Sequence, residues 1–149
     1  MEERFEKFKR RKNIVIYGMP EREDRPSNER VETDNSNIRK LLKELDVDIK
    51  NFEVSRIGKQ VSRGIPRPIR VECNKESEKY EVLKKAASLR FSKNTDLKKV
   101  IINADMSFRE RESQKLLREE LKERRLAGER NIKIRKGRIV KEGVDRGEK

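Results

Sequence analysis

The chain has 149 residues, with no histidine, no tryptophan, a single cysteine and only 5% aromatic residues. Without histidine it lacks the commonest general base, the usual partner of a nucleophilic serine or cysteine, and the commonest metal ligand. One thiol, Cys73, excludes an internal disulfide and any multi-cysteine metal site, so a reducing compartment is expected. No apolar run is long enough to span a bilayer, and no signal-peptide or lipidation pattern is visible, so no membrane association is expected. Hydrophobic residues reach only 32% against 46% charged. The core must therefore be modest, and a deep enzyme-like cleft is not expected.

What the chain has is positive charge: 41 Lys and Arg against 28 Asp and Glu leave +13. Such a surface attracts polyanions, with nucleic acid first among them.

Hydrophobic spacing orders the elements. Residues 1–12 form a charged tail or coiled-coil stub with Phe5 and Phe8 at helical spacing. Asn13–Met19 reads as a strand closed by Gly18 and Pro20. Val31, Ile38, Leu41, Leu42 and Leu45 recur as on an amphipathic helix, with Ser27 or Asn28 placed to cap it. Asn51–Ile57 alternates as a second strand, with Phe52, Val54 and Arg56 in one phase, and Pro68–Cys73 as a third, with Ile69, Val71 and Cys73 in one phase. Ser77 is placed to cap a second helix carrying Tyr80, Val82, Leu83 and Leu89. Leu97–Asn103 reads as a fourth strand.

Strand, helix, strand, strand, helix, strand is the split βαβ order of ferredoxin-like and RRM (RNA-recognition-motif) domains, an α+β fold, expected over residues 13–106. A Ser107–Glu110 capping box then opens a third helix, and Gly128 stops it. A hairpin turning at Lys136-Gly137 follows, setting Ile134 opposite Ile139. Helix and hairpin occupy 107–142, and 143–149 reads as a disordered tail.

The candidate contacts follow from this layout. Tyr17, on the first strand, either stacks on a base from the open sheet face or packs in the core or at the sheet edge. The third strand has no aromatic residue, so recognition of a defined base sequence is not expected. Cations fall on three elements: Arg56 and Lys59 after the second strand; Arg63, Arg67 and Arg70 around the third; Arg130, Lys133, Arg135, Lys136 and Arg138 in the hairpin. Guanidinium groups pair bidentately with phosphate and stack on bases, so these point to a strand gripped mainly by electrostatics between sheet-side arginines and hairpin. The bland alternative is a set of solubilising charges neutralised by nearby acids. Acids such as Asp34, Asp96 and Asp105 have the chemistry to hold Mg²⁺, but their spacing puts them on different elements; no metal and no cofactor is expected.

The runs Asn13-Ile-Val-Ile-Tyr-Gly-Met-Pro-Glu21, Arg67-Pro-Ile-Arg-Val71, Val82-Leu-Lys-Lys-Ala86 and Val100-Ile-Ile-Asn-Ala-Asp-Met-Ser107 come in an order that resembles the first-open-reading-frame proteins of LINE-type non-LTR retrotransposons, which carry a noncanonical RRM and a small C-terminal domain. The resemblance implies a non-enzymatic RNA-binding protein and nucleic-acid chaperone, held in cytoplasmic ribonucleoprotein particles with access to the nucleus. It also implies trimerisation through an upstream coiled coil. By motif position it adds Arg109 and Arg111, opening the C-terminal part, to the nucleic-acid contacts and supports Arg67 beside the third strand. The partner expected is RNA or single-stranded DNA; the rival is a protein-interaction or assembly module of the same fold.

Overall fold

A computed structural model of the chain describes residues 2–22, 24–59 and 64–142. Arg63 and the tail from Gly143 onward lie outside the described residues. The chain falls into two units, Phe5–Asp105 on one side and Met1–Arg4 with Met106–Lys149 on the other. The charged N-terminal segment is helical, as α1 (Glu2–Arg10).

In the larger unit, four strands form one antiparallel sheet: β1 (Asn13–Tyr17), β2 (Phe52–Arg56), β3 (Ile69–Cys73) and β4 (Ile101–Ala104), in the order β2-β3-β1-β4. Successive strand residues point to opposite faces. The register sets Ile14 against Val71, Ile16 against both Ile69 and Ile102, and Val54 against Val71. These side chains therefore share one face and join one buried cluster. That face is covered by α2 (Ser27–Glu44), through Ile38, Leu41 and Leu42, and by Val82 of α3 (Glu76–Lys85). Each fully buried aliphatic side chain contributes about 1.5–3 kcal/mol. The result is the expected mixed α+β class, with helices on one face of an antiparallel sheet.

Three local readings change. α2 starts behind Pro26, with no side-chain cap, because the fixed φ of proline already sets the entry and Ser27 is inside the helix. At α3 the cap position is Lys75, not Ser77; Glu78 reaches back to accept the Asn74 and Lys75 amides, both at 3.0 Å. The fourth strand begins at Ile101, because Asn94 accepts the Asp96 and Leu97 amides and winds the preceding residues into a short helix, α4 (Thr95–Lys98). Between α3 and α4 the chain runs through a 3₁₀ turn over Ala86–Phe91 that buries Leu89.

Gly18 closes β1 at φ +88°, and a Cβ there would lie 2.9 Å from the Lys99 carbonyl oxygen. Only glycine lets β1 leave the sheet so close to the start of β4.

In the smaller unit, Ser107 caps α5 (Phe108–Leu126) reciprocally: its hydroxyl accepts the Glu110 amide at 3.2 Å and its amide donates to Glu110 at 3.0 Å. The helix ends at Ala127, and Gly128 follows at φ +107°. The hairpin of β5 (Ile132–Arg135) and β6 (Arg138–Lys141) turns on Lys136 and Gly137, both at positive φ, and pairs Ile134 with Ile139 as the spacing predicts. Ile132 is buried, and the Arg125 guanidinium of α5 donates to its carbonyl at 2.7 Å.

Candidate functional site

Arg56 occupies the same strand phase as Phe52 and Val54, so it faces the core and not the solvent. Its side chain is 6% exposed. Asp34, reaching in from α2, takes the Nε and one terminal nitrogen at 3.0 and 2.7 Å; the carbonyls of Met19, Pro20 and Arg67 take the rest at 3.1, 2.8 and 2.6 Å. A guanidinium offers five N–H donors, and all five are committed. Arg56 is therefore a buried structural residue, and the expectation that it contacts phosphate is corrected. Its work is to tie the β1–α2 loop to the β2–β3 connection.

Arg67 does the same from the other side. Its Nε and a terminal nitrogen both meet Glu21 Oε2, the former at 2.9 Å; its backbone amide donates to Glu21 Oε1, and its other terminal nitrogen to the Gly58 carbonyl. Burial by itself would raise the Glu21 carboxyl, but hydrogen bonds from Arg67 and the charges of Arg56 and Arg67 outweigh it and hold that pKa below the ordinary glutamate value. Arg67 thus also holds the fold together, through at least three of its five side-chain donors.

The sheet face away from the core carries Asn13, Val15 and Tyr17 from β1, Glu53 and Ser55 from β2, Arg70 and Glu72 from β3, and Ile101 and Asn103 from β4, by alternation from the registered pairs. The face is uneven. Asp105 is buried beneath Arg10, Asn13 and Arg70, whose donors reach it at 2.7, 3.0 and 3.1 Å. Burial lowers the Arg10 pKa, yet the hydrogen bonds and charges of Asp105 and Glu6 together outweigh it and leave it raised. Arg70, with its side chain 38% exposed, engages through Nε alone among the described residues. Glu53 and Glu72 face each other directly at the β2 side. Tyr17 and Ile101 pair across β1 and β4, 41% and 60% exposed, so Tyr17 is not a core residue.

In the hairpin, Arg135 and Arg138 are direct cross-strand partners. Arg130, Arg135, Lys136 and Arg138 are exposed and make no ion pair or hydrogen bond through their side chains among the described residues. Lys133 pairs with Glu142 at 2.9 Å. Lys59, Arg109 and Arg111 are exposed as well.

One group escaped the sequence reading. Arg90, Lys93, Lys98 and Lys99 flank β4, all exposed, and the Arg90 guanidinium lies 4.9 Å from the ring centre of Phe91, itself 74% exposed. Its signal in the sequence is weak, four cations scattered over residues 90–99 among polar and apolar residues and one acid, Asp96.

Burial pushes the Cys73 thiol up to about 11, so it is an inert core group. No cluster of three or more potential metal ligands occurs among the described residues, where Asp34 and Asp105 are engaged by arginines. No helix among them is long and apolar enough to cross a membrane. The sequence matches no protein-family model, and no curated protein matches it significantly.

Proposed function

We propose that the chain is a sequence-tolerant binder of single-stranded RNA or DNA, built on an RRM-type βαββαβ unit followed by a basic helix-hairpin, and that it works as a nucleic-acid chaperone of the kind carried by LINE-type retrotransposons and not as an enzyme. The observation that carries this reading is the hairpin tip. Like charges placed directly opposite on paired strands repel. Arg135 and Arg138 keep that arrangement, with Lys136 between them and no acid of the described chain answering any of the three. An external polyanion supplies the missing charge, and the phosphodiester backbone does so at regular spacing. On the sheet face, Tyr17 beside Ile101 offers a stacking platform that is indifferent to base identity.

The experiment is fluorescence anisotropy of a labelled oligouridylate titrated with the protein across a range of salt. Affinity should fall linearly on a double-logarithmic plot, with a slope of about 0.7 for each phosphate neutralised on a single strand. Replacing Arg135, Lys136 and Arg138 together by glutamate should abolish binding at physiological salt while the thermal midpoint stays near that of the parent. Salt-independent binding, or a reversed hairpin that binds as well as the parent, refutes the proposal. A protein-assembly role has one observation in its favour, the exposed Phe108, Leu116 and Leu126 of α5; in that case the reversed variant keeps its partner and no oligonucleotide affinity is found.

A further inference from the structure

The two edges of the sheet differ in their balance of acids and cations. At the β2 edge, Glu53 stands opposite Glu72, both exposed, in a pocket that Lys12, Arg39 and Lys50 also line, so acids and cations mix there. At the β4 edge, the segment from Arg90 to Lys99 carries four exposed cations, Arg90, Lys93, Lys98 and Lys99, against the single acid Asp96. Beside β4 runs a groove of about 420 Å³, lined by Leu83, Leu89, Val100 and Ile101 and by Arg90 and Lys98, with no acid among its described lining residues. Ile101 belongs both to this groove and to the Tyr17 pair on the sheet face, so platform and groove are continuous. An apolar slot with cations at its rim and an aromatic ring adjoining through Arg90 is the chemistry of an unstacked base with its flanking phosphates.

We infer that the groove along β4 is a base-binding site: a single strand leaves the sheet over this edge, seats one base against its apolar wall with Phe91 as the adjoining stacking surface, and pairs its phosphates with Arg90 and Lys98. The site rests on the nucleic-acid reading and extends it to a place and a route. Charge complementarity chooses the occupant, because the groove offers cations and no acid, with the Phe91 ring adjoining through Arg90, where the opposite edge mixes Lys12, Arg39 and Lys50 with Glu53 and Glu72.

The chain has no tryptophan, so Phe91→Trp installs a single fluorescent reporter at an exposed position where the fold has no stake. Titrated with oligouridylate, its emission should be quenched along the same curve as the anisotropy of the labelled oligomer. The pair Arg90→Ala and Lys98→Ala should weaken binding by roughly tenfold and reduce the salt slope by about 0.7 for each phosphate no longer neutralised, at an unchanged thermal midpoint. Binding of parental strength with no quenching, and with the double variant unaffected, overturns the β4 site and leaves the hairpin reading standing. Absence of binding by the parent chain overturns both. Quenching by a polyglutamate peptide but not by the oligonucleotide gives the groove to an acidic protein segment and overturns the assignment.

Discussion

Arg56 and Arg67 hold 6% and 20% of their side-chain surface in water and spend their donors on Asp34, Glu21 and backbone carbonyls, whereas Arg135 and Arg138 face each other in solvent with no acid of the described chain beside them. The same side chain thus does opposite work in two regions of one molecule. Beside β2 and β3 it ties the chain together: the fork is planar, gathers several acceptors at once and joins two loops through their backbone carbonyls. In the hairpin it makes no ion pair or hydrogen bond with the described residues and leaves its charge exposed to solvent. Net charge therefore overstates the unpaired positive surface, because part of it is consumed inside.

The largest effect is expected at Arg56. Arg56→Ala leaves Asp34 buried beside empty space and strands three carbonyls, and should cost about 3–5 kcal/mol. Urea unfolding measures this; a loss under about 1 kcal/mol accompanied by a fall in oligonucleotide affinity would return Arg56 to the ligand side.

Glu21→Gln comes next, at about 1–3 kcal/mol near neutral pH. Its folded pKa lies below the ordinary 4.5, so its stabilisation is fully present above that value and is lost as pH falls through the depressed one. Parent and variant midpoints should therefore converge below about pH 4.5, and a gap that persists in acid would show that packing, not the Arg67 pairing, holds this corner.

Arg135→Ala with Arg138→Ala should leave stability within about 0.5 kcal/mol of the parent, or raise it slightly by relieving the repulsion. A cooperative loss of structure would mean that these side chains have internal partners after all. The smallest effect belongs to the turn. Lys136 sits at φ +52°, so Lys136→Gly should gain a few tenths of a kcal/mol while removing one charge, and calorimetry together with anisotropy separates the two consequences.

Much of this was readable in the residues. Alternation in Ile69, Val71 and Cys73 predicted a buried strand face, Ser107 with Glu110 marked a helix start, and Lys136-Gly137 located a hairpin turn, each because the cause lies within a few residues of its effect. The inward fate of Arg56 was also encoded, since it keeps phase with Phe52 and Val54, and Asp34 keeps phase with Ile38, Leu41 and Leu42. A charge in an apolar phase is placed by its position and not by its type. The boundary of β4 was misplaced because the apolar residues Leu97 and Val100 suit a strand or a short helix equally, and Asn94 decided between them.

Local chemistry, then, settled the elements, their faces and the excess of positive charge, because propensity, period and capping act over one or two turns of chain. Which arginines meet an acid was decided only by folding. Asp34 and Arg56 are separated by 22 positions, Glu21 and Arg67 by 46, and Arg10 and Asp105 by 95. Coulomb attraction at contact distance selects partners through space, and chain separation carries no information about that space until the sheet has brought its strands into register.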